Sequence, residues 1–291
     1  MNTIEQAAKR LEQLRRAGVD IQADAAAAQQ PPHRVATEPA PAAPPDDRRS
    51  REVSVDLARM RHAGLLVPGQ PRSQLEEEFR IVKRPLLENV RNHSAMRPER
   101  ANLIMVSSAV PGEGKTQTAL NLAVSIAMEL DHTVLLVEAD VLRPSALDRL
   151  GVTASKGLLD LLESPQTDLA EVLLRTNIPK LTLLPAGTAS SRSTELLASD
   201  AMTRLLEELA SKYSDRVVIF DSPPLLSTTE SRVLASHMGQ VVMVIEASKT
   251  PINVIKQAFA AVQSHPVVLS MLNKYRGPKG SNAYGYGYYA P

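Results

Sequence analysis

Ten residues, Ser107-Ser108-Ala109-Val110-Pro111-Gly112-Glu113-Gly114-Lys115-Thr116, limit what this chain can fold into more than any other stretch. Before them, residues 102–106 form an apolar run suited to a buried strand; after them, from 118 to 130, apolar residues recur at helical spacing. A glycine-rich turn joining a strand to a helix aims successive backbone N–H groups into one concavity at the helix N-terminus, where the dipole favours an anion. The spacing is the relaxed form of G-x-x-x-x-G-K-[ST], with Ala109 where the first glycine usually stands. In such a loop Pro111, Gly112, Glu113, Gly114, Lys115, Thr116 and Gln117 surround a phosphate chain: Lys115 reaches the terminal phosphates and the Thr116 hydroxyl ligates magnesium. The expected ligands are ATP and Mg2+.

Beyond this loop, short continuous apolar runs alternate with helical patterns. Strands are expected at 103–106, 133–137, 181–184, 217–220, 241–245 and 267–272, and helices at 145–150, 158–162, 169–174, 194–211, 231–236 and 252–262. Unbroken apolar strands are buried on both faces. The pattern therefore predicts an α/β fold of the P-loop NTPase type, a mostly parallel central sheet with helices on both faces, preceded by an N-terminal helical and disordered extension. Hydrophobic residues are 43% of the 291, enough for such a core, but only 3% are aromatic, so Leu, Val, Ile, Ala and Met must fill it. Ligand loops in these sheets lie at strand C-termini, where all the candidate chemistry falls.

Four segments are expected. In residues 1–18, Thr3 and Gln6 make a capping box and Ile4, Ala7, Ala8, Leu11 and Leu14 share one face of a short helix, which either docks on a partner surface or frays in solvent. Residues 19–52, rich in Ala, Pro, Gln and Asp, bury too little apolar surface to offset ordering and read as a disordered linker. Residues 53–276 form the domain and 277–291 a flexible tail. Within the domain, Ser73 and Glu76 make a second capping box for a charged helix over 75–83, which Pro85 should kink or interrupt. There Glu77, Arg80 and Lys83 or Arg84 fall on one face; on composition alone this is a solvated helix with internal ion pairs.

Two acidic strands complete the pattern. The run 134–137 leads into Glu138-Ala139-Asp140, two carboxylates expected on the same side; the run 217–220 leads into Asp221-Ser222-Pro223-Pro224, an acid placed to reach magnesium directly or through water. Thr116, Asp140 and Asp221 are the expected metal ligands. A net charge of +1, with no basic patch joined to stacking aromatics, argues against nucleic acid as a partner. The chain has no cysteine, hence no disulfide or thiolate metal site, which fits the cytoplasm. No apolar run approaches the ~18 residues of a membrane span.

A P-loop followed by E-x-D and then D-[ST]-P-P resembles the bacterial tyrosine kinases, the P-loop autokinases of exopolysaccharide export systems, over residues 73–291. Pro111–Thr116 looks like their Walker A, the stretch ending Glu138-Ala139-Asp140-Val141-Leu142-Arg143-Pro144 like their Walker A′, and Asp221-Ser222-Pro223-Pro224 like their Walker B. Walker A′ normally begins with Asp where this chain has Glu138. Glu77, Arg80 and Lys83 match the E-x-x-R-x-x-R helix that the family uses in ring assembly, with Lys in place of the last Arg. Residues 78–87, together with the N-terminal helix, most resemble the exosortase-associated tyrosine autokinases. The tail carries Tyr284, Tyr286, Tyr288 and Tyr289, spaced largely by glycine; by composition it is low-complexity sequence, by resemblance the autophosphorylation cluster.

The resemblance implies that a tail tyrosine of one copy attacks the γ-phosphate held by a neighbour in a ring-like homo-oligomer built through the helix at 73–91. Asp140 is the first candidate base and Glu138 the second, with Lys115 and Asp221 completing the site. Arg143 suits either neutralisation of transferring phosphate or an ordinary salt bridge; Asn273 suits either an adenine contact or a turn. Also implied are a separate membrane polysaccharide co-polymerase as activator, a tyrosine phosphatase, and peripheral localisation at the inner membrane through that partner. Two other readings compete: a switch ATPase of the partition or division-site class, which carries lysine at the position of Val110, and an inactive ATP-binding regulator of polysaccharide assembly.

Overall fold

In the computed structural model the described residues are 50–276, without 93, 95, 96, 165 and 213–215. The expectations for the N-terminal helix, for most of the linker and for the tail with its four tyrosines lie outside them. Eight strands form one sheet: β1 (Arg51–Val53), β2 (Leu103–Ser108), β3 (Thr133–Glu138), β4 (Leu174–Thr176), β5 (Leu181–Leu184), β6 (Arg216–Asp221), β7 (Gln240–Glu246) and β8 (Val268–Asn273). Their order is β1-β4-β5-β3-β6-β2-β7-β8, and every pairing is parallel except β4 with β5. β2, which feeds the glycine loop, is central, flanked by β6 and β7, while β3 lies on the far side of β6.

Alternation along each strand separates two cores. Leu103, Met105, Leu135, Val137, Val218, Phe220, Val241 and Met243 point to one face. Ile104, Val106, Val134, Leu136, Val217, Ile219, Val242 and Val244 point to the other. The first face is covered by α5 (Leu158–Glu163), α6 (Leu169–Val172), α7 (Ser193–Leu197), α8 (Asp200–Lys212), α9 (Glu230–Ser236) and α10 (Ile252–Ala261). The second is covered by α1 (Leu57–His62), α2 (Gln74–Arg91), α3 (Lys115–Ala127) and α4 (Ala146–Leu150). Helix α3 is buried on nearly every side, Thr116, Thr118, Asn121 and Ser125 included, so its aliphatic residues are not confined to one stripe. No helix among the described residues is long and apolar enough to cross a membrane.

Four expectations are corrected. The linker gives way at Arg51, because residues 51–53 pair with β4 as an edge strand. Leu174, expected as the last residue of a helix, instead opens β4, and the helix expected over 194–211 breaks into α7 and α8 at residues 198–199. Helix α2 runs unbroken through Pro85. Pro85 sits on the exposed side, where the carbonyl that its missing N–H leaves free is open to water, while Phe79, Leu86, Leu87 and Val90 pack on the buried side.

Candidate active site

The loop between β2 and α3 is shaped by two glycines in the left-handed region, Gly112 at φ 91° and Gly114 at φ 101°. A Cβ on Gly114 would run into the Asn273 amide, so glycine is required there for space as well as for backbone angle. The Glu113 side chain is buried, 1% exposed. Its Oε2 accepts the Val110 N–H at 2.8 Å, and its Oε1 accepts the Glu246 N–H at 3.2 Å and the Thr250 hydroxyl at 2.5 Å. The Asn273 amide donates to Glu113 O at 2.8 Å, and Lys274 Nζ donates to Gly112 O at 2.5 Å while pairing with Glu246 at 3.1 Å. The ends of β7 and β8 thus hold the loop in shape before any ligand arrives. The Glu113 side chain is therefore a fastener of the loop, and only its backbone N–H is left for the phosphate-binding expectation. Asn273 is placed against the loop itself, its amide N–H engaged and its Oδ1 accepting the Lys274 N–H at 2.9 Å.

Parallel pairing of β3 with β6 sets Glu138 opposite Asp221. The Ala139 and Asp140 N–H groups both donate to Asp221 O, at 2.8 and 2.9 Å, which folds Asp140 over the end of β6. Lys115 Nζ lies 2.6 Å from Asp140 Oδ2 and 3.8 Å from Asp221 Oδ1, and donates to Thr116 Oγ1 at 3.3 Å. Asp221 is 1% exposed and neither of its oxygens receives a hydrogen bond of ordinary geometry. Burial pushes its carboxyl up to about 7; Lys115 and the Thr116 hydroxyl pull it down, and the charges of Asp140 and Glu138 add to the rise.

A buried carboxylate that no hydrogen bond of ordinary geometry satisfies, beside a second carboxylate and a threonine hydroxyl, is an all-oxygen donor set suited to a hard cation. Among the described residues no three His, Cys, Asp or Glu side chains form a protein-only metal cage. Magnesium does not need one, since it completes its shell with water and phosphate oxygens. Thr116, Asp140 and Asp221 therefore fit that ion.

Glu138 is corrected. Its Oε1 accepts the Ala146 N–H at 2.6 Å and its Oε2 the Ala186 N–H at 3.4 Å, so the carboxylate caps α4 instead of facing Lys115. Burial raises its pKa and these amides oppose the rise. The extra methylene relative to Asp supplies the reach to the start of α4.

A cleft of about 570 Å³ opens between the loop, α4 and the Pro223-Pro224 turn, a size typical of small-ligand sites. Lys115, Thr116, Asp140 and Arg143 line it. Arg143 is exposed, and no described residue forms an ion pair with it, so the salt-bridge alternative finds no partner among them. Arg149, which the sequence reading passed over, also lines the cleft and donates to Gln117 Oε1 at 2.9 Å. Thr250, Glu246 and Lys274 were likewise missed. Nothing local marks any of these four; a Thr or Lys becomes informative only once β7 and β8 are known to end beside the loop.

On α2, Glu77 and Arg80 are exposed and pair with each other at 3.0 Å. Lys83 is buried instead, donating to Ser125 O at 2.7 Å and pairing with Glu129 at 2.8 Å. The exposed stripe is therefore Glu77, Arg80 and Arg84, and Lys83 is corrected to an anchor between α2 and the C-terminal end of α3. The side chain one position further round the helix points outward, with Arg84 82% exposed.

Residues 101–266 match the model of an AAA domain family. The tyrosine-protein kinase YwqD of Bacillus subtilis is 30% identical over 223 residues, covering 76% of this chain and 88% of that protein. The tyrosine-protein kinase wzc of Salmonella typhimurium is 26% identical over 235 residues, 79% of this chain. Of wzc, however, the chain spans only 31%, and comparably small shares of other long relatives. Among solved structures, the VpsO kinase domain is 29% identical with a TM-score of 0.56, over 68% of this chain and 96% of that domain. With these likenesses and the loop, acids and sheet order described above, the chain belongs to the AAA domain family and to the bacterial tyrosine kinases.

Proposed function

We propose that this chain is an ATP-dependent protein-tyrosine autokinase that phosphorylates Tyr284, Tyr286, Tyr288 and Tyr289 of a neighbouring copy and regulates exopolysaccharide polymerisation or export. The observation that carries the reading is the convergence of Lys115 on Asp140 and Asp221, at 2.6 and 3.8 Å, beneath a loop whose shape is already fixed. Phosphoryl transfer asks mainly for alignment and charge neutralisation, which is what such a site can supply.

The loop amides orient the phosphate chain, and Lys115 places a cation on its terminal end. Bound by Thr116, Asp140 and Asp221, magnesium would neutralise charge on the phosphate oxygens. A tyrosine hydroxyl has a pKa near ~10 and needs help to lose its proton at neutral pH. Asp140, at the cleft and 5% exposed, is the base that accepts it. Arg143, reaching into the cleft without an acidic partner among the described residues, faces the charge that develops on the transferred group. Asp221 holds its place behind them, and Glu138 contributes by fixing α4. Because Glu138 caps α4, its departure from the family's Asp removes no ligand from the cleft. This favours an active enzyme over an inactive regulator.

The exposed stripe Glu77, Arg80 and Arg84 supports assembly of copies through α2, and a membrane polysaccharide co-polymerase would hold the assembly at the inner membrane, with a tyrosine phosphatase resetting the tail. The test is mass spectrometry of the full chain with ATP and magnesium, beside Lys115→Met. Phosphate on the tail tyrosines that Lys115→Met abolishes is the expected result. ATP hydrolysis with an unmodified tail, even after adding the cytosolic segment of an activator, would hand the chain to the switch-ATPase class despite Val110.

A further inference from the structure

Upstream of α2, residues 54–66 cross the second face as a strap attached to two elements that wall the cleft. Its first attachment is to α4: the Asp56 N–H donates to Leu150 O at 3.0 Å, and Arg59 pairs with Asp148 at 2.8 Å. Its second is to α3, where the Leu66 N–H donates to the buried Asn121 Oδ1 at 2.8 Å. Its own Met60, Leu65 and Leu66 are buried against the domain. Between the two attachments, Gly64 at φ 70° turns two successive carbonyls toward one side chain. Gln117 Nε2 donates to Ala63 O at 2.9 Å and to Gly64 O at 2.8 Å. The same amide presents Oε1 to Arg149 at 2.9 Å. Gln117 directly follows Thr116, and Arg149 looks into the cleft. A continuous line of hydrogen bonds thus runs from strap backbone to a cation in the cleft.

The charge of the cleft says what that cation is for. Lys115 is matched by Asp140 and Asp221, whereas neither Arg143 nor Arg149 has an acidic partner among the described residues, so the α4 side of the cleft carries excess positive charge. A guanidinium stays protonated at any working pH, and a neutral amide fixes its plane without cancelling its charge. We propose that Arg149 contacts the phosphate chain of the nucleotide and that Gln117 is a positioning residue through which the strap sets nucleotide affinity. The proposal rests on the nucleotide reading above and adds to it a control by residues that lie upstream of every phosphate-binding motif. Linkage makes the control reciprocal: if strap docking raises ATP affinity, ATP must tighten the strap by the same factor.

The test uses the full chain with ATP and magnesium. Arg149→Met weakens ATP binding about tenfold by calorimetry, the loss of one charge-assisted contact, and Arg149→Lys recovers part of it. Gln117→Leu weakens binding by a similar factor, and the double variant is no weaker than Arg149→Met alone, because the two residues act in series. Hydrogen exchange supplies the readout that a merely structural role would not move. In the wild type, ATP slows exchange both in the glycine loop and at residues 60–66. In Gln117→Glu, which still holds Arg149 but sets a carboxylate against two carbonyls, the loop remains protected by ATP and residues 60–66 do not. Unchanged ATP affinity in Arg149→Met, or protection of the loop without any change at 60–66 in the wild type, overturns the proposal while leaving the kinase reading intact. Absence of loop protection overturns the nucleotide reading itself, whatever the strap does.

Discussion

Replacing Asp221 with Asn should make the ligand-free protein more stable, and more so the higher the pH. Asp221 is fully buried and its carboxyl is pushed from 3.8 up to about 7 by that burial, against the pull of Lys115. Between those two values the folded protein holds a proton that the unfolded chain has released, so unfolding free energy falls as pH rises and levels off above about 7. At pH 8 the ionised carboxylate therefore costs about 4 kcal/mol of stability, from 1.36 kcal/mol per pKa unit. Asn cannot ionise and escapes this cost, while Lys115 keeps its closer partner, Asp140, at 2.6 Å. The difference between pH 5 and pH 8 is the clean quantity, because packing effects of the substitution cancel in it. Two pKa units make the advantage of Asp221→Asn larger at pH 8 than at pH 5 by about 3 kcal/mol. Urea unfolding in the presence of EDTA at the two pH values reads it directly. An advantage that is the same at both, or that shrinks as pH rises, would show that Asp221 is already charged at pH 5 and refute the account of its burial. With magnesium and ATP added the order reverses, since the wild type alone gains the full stabilisation of the bound ligand.

Four other outcomes follow. Lys115→Met leaves two carboxylates facing each other without their cation; it abolishes tail phosphorylation and lowers stability at pH 8 by about 3 kcal/mol, a loss that shrinks by pH 5 as Asp221 takes up its proton, read by urea unfolding. Glu138→Ala costs about 2 kcal/mol because the buried Ala146 N–H loses its acceptor, and Glu138→Asp, one methylene short of α4, recovers only part of this in the same assay. Lys83→Met destabilises by about 1–2 kcal/mol through the contacts to Ser125 and Glu129, whereas Arg84→Ala changes stability by less than about 0.5 kcal/mol but alters the assembly mass in sedimentation. Thr250→Val removes one donor from Glu113 and weakens ATP binding several-fold with little change in melting temperature, since it loosens the loop and not the core.

What was legible in the sequence and what was not divide along one physical line. Gly112, Gly114, Lys115 and Thr116 owe their positions to backbone angles and to the strand and helix on either side, all within a dozen residues, so their pattern declares itself. The apolar runs that became β2, β3, β6 and β7 are legible for the same reason, because burial on both faces permits few residues other than aliphatic ones. The margin of the sheet carries no such demand: β1 is an edge strand with one paired side, and β4, though paired to both β1 and β5, is three residues long with only Leu174 buried, so the two read as linker and helix end. Side-chain direction is harder still. Glu138 and Asp140 sit two apart at the end of one strand, yet one caps α4 and the other pairs with Lys115, because the chain has already left β3 at residue 139 and alternation no longer governs where Asp140 points. Lys83 and Arg84 are adjacent, equally charged and equally compatible with a surface motif; which one is buried depends on where α3 ends and places Glu129. Glu113 is the extreme case. It lies inside the most recognisable motif of the chain, and its role is set by Thr250, 137 residues away. A motif thus locates a site reliably while leaving open what each of its side chains does, since its glycines answer to the local backbone and its polar residues answer to whatever the fold brings beside them.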